Sequence, residues 1–79
     1  MAKIMLHEVV ARSLRVPVAS ISDETSPETL PRWDSLKHLD LMTGIEDAYE
    51  IRFSTADIMR AKSVRDIRVL LGEKGIVAG

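Results

Sequence analysis

A chain of 79 residues with a formal net charge of −1, 46% hydrophobic residues and no cysteine has room for one domain, residues 1–79, around a thin core. It has no room for a deep active-site cleft walled by several layers. The lack of cysteine excludes disulfides and thiolate metal sites and makes a reducing cytoplasm the expected location. The opening Met1-Ala2-Lys3-Ile4-Met5-Leu6-His7-Glu8 breaks its apolar run too soon for a signal peptide, and no stretch approaches a membrane span, so a soluble chain without stable membrane insertion is expected.

In chain order, four helices are predicted, with no repeat and no strand pattern. The first covers about residues 3–15, places Leu6, Val9, Val10 and Leu14 on one face, and stops at Val16-Pro17, because proline disfavours the helical conformation in the residue before it. Pro17 to Trp33 reads as a long connection rich in Ser, Thr, Asp and Pro, which Ile21 and Leu30 must anchor to the core. The second helix runs from about residue 35 to 50. A short third helix starts near Ser54-Thr55 and covers Ala56 to Arg60 with Ile58 inward. The fourth begins at Ser63 with Asp66 three residues on, an Asp variant of the capping box. It carries Val64, Ile67, Leu70 and Leu71 until Gly72 and Gly75 end it.

Charge is distributed unevenly along this pattern. Residues 1–22 sum to +2, residues 23–50 to −6 and residues 51–79 to +3, an asymmetry suited to orienting a partner rather than coating nucleic acid. The acids gather around the second helix. At about 100° per residue, Leu41, Met42, Ile45, Ala48 and Tyr49 of that helix share one arc, wide enough to be the core face. Leu36 and Leu39 fall on the far side among Asp40, Asp47 and Glu50, with Thr43 between them and Glu46 at the border. Single exposed leucines are ordinary on a solvated face. An apolar pair ringed by acids also has the composition of a transient docking surface.

That helix opens with Trp33-Asp34-Ser35-Leu36. Asp34 is a natural N-cap, and Ser35 in the first turn has an exposed hydroxyl beside unpaired backbone N–H groups that favour a phosphate bonded to it. Asp-Ser pairs also begin helices that do nothing further. His38, three positions on, lacks an orienting carboxylate and an oxyanion motif, and the wheel turns it toward the core, so packing near the helix start is expected in place of catalysis. His7 has no partner by spacing and reads as a boundary residue, and no metal spacing joins the two histidines. Trp33 covers the helix entrance or touches whatever binds there. Gly44, mid-helix at a cost of about 1 kcal/mol relative to alanine, fits either a close approach of another helix or of a bound chain, or simple tolerance.

Asp34-Ser35-Leu36, Leu39-Asp40-Leu41-Met42 and Ile45-Glu46-Asp47-Ala48-Tyr49-Glu50-Ile51 fall in one register and together resemble an acyl carrier protein. Leu6-x-x-Val9-Val10, Leu14-Arg15-Val16, Phe53-Ser54 and Ser63-Val64 extend the resemblance over nearly the whole chain. It implies an all-α four-helix bundle of three main helices and one short one, with a long loop between the first two. It further implies 4′-phosphopantetheine on Ser35, transferred from coenzyme A by a phosphopantetheinyl transferase, with Mg²⁺ present only during attachment and held in part by Asp34. The thiol of the arm then holds acyl groups as thioesters, and tethering raises their effective concentration at each enzyme that docks. The chain itself is implied to be a non-catalytic, monomeric carrier. Leu36, Leu39, Asp40, Thr43, Glu46, Asp47 and Glu50 are the implied docking residues for acyl-loading and acyl-processing enzymes of fatty-acid, lipid or polyketide type.

Lys37 and His38 depart from the acidic or neutral start usual in fatty-acid carriers, and Thr43 stands where a larger apolar residue is common. The wording Trp-Asp-Ser-Leu-x-His is more like that of stand-alone carriers serving a dedicated pathway. Aminoacyl and peptidyl carriers share the arm and the fold and are the alternative for the cargo. From other classes come a helical interaction module without the arm, binding nucleic acid through Arg60, Lys62, Arg65 and Arg68, and a hydrolase using Ser35.

Overall fold

The computed structural model describes residues 5–79. The helices are α1 (Leu6–Leu14), α2 (Ser35–Tyr49), α3 (Thr55–Arg60) and α4 (Val64–Glu73), with one 3-10 turn, Val18–Ser20, in the connection between α1 and α2. Residues 3 and 4, where α1 was expected to start, lie outside the described residues. At its other end α1 stops one residue earlier than the proline alone requires. Arg15 adopts the left-handed conformation with φ 58°, and Val16 N–H donates to the Ala11 carbonyl at 3.0 Å. This closes the helix in the Schellman manner without glycine. Glu50 does the same for α2, with φ 55° and Ile51 N–H on the Glu46 carbonyl at 3.1 Å.

The apolar faces read from the sequence meet in one core. Leu6, Val10 and Leu14 of α1, Leu41, Met42 and Ile45 of α2, and Val64, Ile67, Leu70 and Leu71 of α4 are fully buried, each worth about 1.5–3 kcal/mol relative to exposure for the larger side chains. Ala48, Tyr49, Leu30 and Ile58 pack at its edge, so the core arc of α2 lies as the wheel placed it. Burial also raises the Tyr49 hydroxyl above its ordinary pKa. Gly44 lies where α1 and α2 approach: a Cβ there would stand 2.9 Å from Ser13 Oγ. Of the readings left open for this glycine, close approach of another helix is the one observed.

The long connection is held by its own backbone. Ile21 is buried. The carbonyls of Thr25 and Asp23 accept from Val64 N–H at 3.0 Å and Arg65 N–H at 2.9 Å, so the loop satisfies the first orphan donors of α4. The buried Thr25 hydroxyl accepts from Ser22 N–H at 2.9 Å. Two expectations about α4 need correction. Ser63 Oγ does accept from Asp66 N–H, but Asp66 reaches past the cap to Lys62 N–H at 3.0 Å, so the reciprocal box is incomplete there. The complete box is at α3, between Ser54 and Asp57. That backbone bond, followed by the Lys74 ammonium, lowers the Asp57 carboxyl below its ordinary pKa. Gly72 does not end α4 but lies inside it. The turn comes at Gly75, with φ 81°, after which Ile76 N–H returns to the Leu71 carbonyl at 2.9 Å.

His7 also differs from expectation, because it has a partner. His7 Nε2 lies 2.8 Å from Asp23 Oδ1, the same oxygen that accepts from Arg68 at 3.1 Å, and Arg68 donates onward to the Ala78 carbonyl at 2.9 Å. This half-exposed cluster ties α1, the long loop, α4 and the final residues together. The His7 and Arg68 hydrogen bonds lower the Asp23 carboxyl below its ordinary pKa.

Candidate functional site

The start of α2 is built by three consecutive residues with different duties. Trp33 is 1% exposed and plugs the helix entrance. Asp34, in extended conformation, accepts from Lys37 N–H through Oδ1 at 2.8 Å, which leaves its second carboxylate oxygen without a partner among the described residues. Ser35 is the first residue of the fifteen-residue helix and is exposed. Its hydroxyl has no hydrogen-bond partner among the described residues, and neither do the backbone N–H groups of Ser35 and Leu36. Free donors and the positive end of the helix dipole therefore surround this hydroxyl.

His38 is half-buried and fully committed. Trp33 Nε1–H donates to His38 Nδ1 at 2.9 Å, and the two rings stack with centroids 5.9 Å apart. Because an indole can only donate, Nδ1 must accept, so Nε2 carries the proton and donates to the Ile58 carbonyl at 2.9 Å. Neither nitrogen is free to serve Ser35 as a base. The expected packing role stands, and its content is a tie from the start of α2 to α3.

Beside Ser35 lies an open groove of about 610 Å³ lined by Trp33, Ser35, His38, Ile58, Met59 and Lys62, among others. Sequence reasoning placed Ile58 at the core and missed Met59, Lys62, Pro27 and Glu28 as neighbours of the serine. The local sequence held no signal for them, because α3 and the loop reach the serine only through the tertiary fold. The far side of α2 matches the wheel. Leu36 and Leu39 are 72% and 55% exposed, and Asp40, Thr43, Asp47 and Glu50 are exposed around them. Glu46 is different: it is half-buried and its carboxylate accepts from Phe53 N–H at 2.7 Å, so it fixes the α2–α3 turn. Arg52 joins Thr43, Asp47 and Glu50 around a second shallow groove at the end of α2.

The basic residues of the C-terminal third are mostly engaged. Arg60 pairs with Glu73 at 3.0 Å, Arg65 with Glu24, and Arg68 with Asp23 at 3.1 Å. The Glu73 carboxylate raises the Arg60 pKa above its ordinary value. These pairs leave little of a cationic stripe for phosphates to meet. Among the described residues no group of three or more His, Cys, Asp or Glu could hold a metal ion, and no helix is long and apolar enough to cross a membrane.

Helix order, the long first connection and a serine at the N-terminus of the second helix define the architecture of an acyl carrier. No family model and no curated protein matches the chain. Among solved structures it is similar to the solution NMR structure of a holo acyl carrier protein from Geobacter metallireducens, at 28% identity and a TM-score of 0.77 over 87% of this chain and 79% of that one. The chain is thus an acyl-carrier-like protein, a non-catalytic carrier in class.

Proposed function

We propose that Ser35 carries 4′-phosphopantetheine and that residues 1–79 act as one monomeric, cytoplasmic carrier domain for acyl intermediates of fatty-acid, lipid or polyketide type. The observation that carries this reading is the Ser35 hydroxyl, exposed and unbonded at the first position of α2, in a chain similar to a carrier in its holo form. The residues present fit the group. The free N–H groups of Ser35 and Leu36 suit a phosphodiester on the adjoining Oγ, and the groove beside it is open to solvent.

During attachment Ser35 Oγ forms a bond to the phosphorus of coenzyme A bearing pantetheine. The phosphoanhydride bond to the adenosine portion breaks, and the hydroxyl proton passes to a base of the phosphopantetheinyl transferase. Asp34, whose second carboxylate oxygen has no partner among the described residues, would help hold a Mg²⁺, which would neutralise phosphate charge in this displacement. When bound, the arm supplies a thiol that holds acyl groups as thioesters. Leu36, Leu39, Asp40, Thr43, Asp47 and Glu50 present the face to acyl-loading and acyl-processing enzymes, and Glu46 supports that face through its bond to Phe53 N–H.

Intact mass after incubation with coenzyme A, Mg²⁺ and a broad-specificity transferase tests the attachment. Wild type should gain one phosphopantetheine and Ser35→Ala none. A folded wild-type chain that gains no mass with any of several transferases would overturn the reading.

A further inference from the structure

We propose that His38 is a protonation-sensitive latch, and that uptake of a proton by its ring releases α3 from the start of α2. Trp33 Nε1–H donates to His38 Nδ1 at 2.9 Å, and Nε2–H donates to the Ile58 carbonyl at 2.9 Å. This chain of two bonds requires one neutral tautomer. A proton taken from solvent must go to Nδ1, because Nε2 already carries one, and it turns the acceptor into a donor facing an indole that can only donate. Two donors cannot share that line, so the rings must part. Trp33 is 1% exposed and held in the helix entrance, whereas His38 is half-buried on the wall of an open groove. The histidine is therefore the member that moves, and the Ile58 carbonyl loses its donor with it.

The groove supplies the second position for the ring. Around His38 it is lined by the carboxylates of Glu28 from the long loop and Asp34 from the start of α2, and by the ammonium of Lys62 from the α3–α4 turn. Two carboxylates against one ammonium favour an imidazolium turned into the groove over one pressed against an indole donor. The neutral ring keeps its two bonds and gains nothing by turning. The charged side chains of α3 are engaged elsewhere, Asp57 with Lys74 at 3.4 Å and Arg60 with Glu73 at 3.0 Å, both at the end of α4. With His38 turned out, α3 stays tied to α4 through these pairs but loses its bond to α2. The two positions of His38 thus form a bistable element that pH biases. Because Ile58 and Met59 line the groove beside Ser35, acidification changes the surface an enzyme meets next to the serine. The latch stands whether or not Ser35 carries an arm.

Trp33 is the single tryptophan of the chain, so its indole N–H gives one isolated NMR signal and a direct test. The ¹⁵N-labelled protein would be titrated from about pH 8 to about pH 5, the range in which histidines take up their proton, while the indole signal, the His38 ring nitrogens and cross-relaxation between the two rings are followed. The expected result is an upfield shift of the indole proton and loss of the ring–ring cross-relaxation, both on the titration curve of the His38 ring, with the amide signals of residues 55–60 moving on the same curve. His7 titrates in its separate contact with Asp23 and should not move the indole. His38→Gln should hold the indole signal constant across the range. Glu28→Gln combined with Asp34→Asn should shift the midpoint of the transition to lower pH, because the carboxylates that receive the turned ring are gone. The inference is overturned if the His38 ring takes up its proton while the indole proton and the cross-relaxation stay unchanged, if the ring remains neutral down to about pH 5, if the indole signal titrates equally in His38→Gln, or if the double carboxylate variant keeps the wild-type midpoint.

Discussion

Replacing His38 with alanine removes a tie whose worth can be worked from its partners. The indole N–H of Trp33 would lose its acceptor at a site 1% exposed, where water cannot readily replace it. A buried donor left unpaired costs about 1–3 kcal/mol. The Ile58 carbonyl would lose its donor at a half-buried position that water can reach, a loss of about 0.5–1.5 kcal/mol. Together these predict a destabilisation of about 1.5–4.5 kcal/mol. A domain of this length is stabilised by roughly 4–12 kcal/mol, and each kcal/mol moves the midpoint of a 60–100-residue domain by about 4–8 °C. His38→Ala should therefore melt lower by tens of degrees at the upper end. Urea unfolding followed by circular dichroism measures the difference directly, with an unchanged slope showing that the native and unfolded states keep their compactness. The comparison with His38→Asn sharpens the test. The asparagine carbonyl stands near the position of Nδ1 and can still accept from Trp33 while abandoning Ile58, so it should recover part of the loss. A His38→Ala cost below about 1 kcal/mol, or no advantage of asparagine over alanine, would refute the assignment of this histidine as a tie between α2 and α3.

Four other expectations follow from particular contacts. Asp34→Asn keeps a good N-cap but removes the carboxylate charge, so stability should hold while the rate of arm attachment falls by more than about tenfold, near 1.4 kcal/mol of lost metal-assisted stabilisation; an unchanged rate would confine Asp34 to capping. Gly44→Ala should gain little alone, because the added Cβ meets Ser13 Oγ at 2.9 Å, yet approach the helix-propensity gain of about 1 kcal/mol in a Ser13→Ala background; a coupling below about 0.5 kcal/mol in the double-mutant cycle would show that the serine swings away freely. Because the Asp23 carboxyl titrates below its unfolded value, its contribution to stability is present above that value and is lost as pH falls below roughly 4; Asp23→Asn should flatten this part of the acid-unfolding profile, and an identical profile would count against the cluster. Leu39→Ser and Asp47→Asn should leave the circular dichroism spectrum intact and weaken turnover by acyl-processing enzymes, the Asp47 effect fading with added salt; equal turnover at low salt would remove these residues from the docking face.

The helices, the core arc of α2 and the Asp34 cap were legible because each depends on residues within one or two turns of one another. Periodicity places Leu41, Met42 and Ile45 together wherever the other helices lie, and an aspartate before a helix meets a backbone N–H three residues on by local geometry alone. What stayed hidden depends on partners brought from afar. His7 meets Asp23 across sixteen positions and lies near Arg68 across sixty-one, and no spacing rule joins them. Asp66 had two candidate N–H groups within reach, and the conformation of the α3–α4 turn decided for Lys62. Gly72 and Gly75 are both plausible stops by composition. The left-handed φ of Gly75 and the return of Ile76 N–H to Leu71 identify the one that turns the chain. The groove beside Ser35 is the extreme case, since it exists only where the long loop, the start of α2 and the six-residue α3 converge.

The uneven charge of the sequence acquires its meaning at the same tertiary level. Within the basic C-terminal third, Arg60, Arg65 and Arg68 are drawn into pairs with Glu73, Glu24 and Asp23, two of which come from the long loop. Those pairs consume acids of the loop and of α4 but none from the outer face of α2. Asp40, Asp47 and Glu50 have no ion pair among the described residues and stand exposed around Leu36 and Leu39. Internal pairing therefore converts a chain of nearly zero net charge into a molecule with one acidic, apolar-centred face beside the serine. A partner would meet that face through a cationic rim around an apolar patch, with Arg52 at its far end as a like charge to avoid. An enzyme bringing a basic residue to Arg52 would be repelled, while one bringing it to Asp40 or Asp47 would be drawn toward Ser35. On the proposed docking face, reversing this charge with Arg52→Glu should broaden the set of basic partners that the chain accepts, measurable as a lower KM with a non-cognate acyl-processing enzyme at low salt.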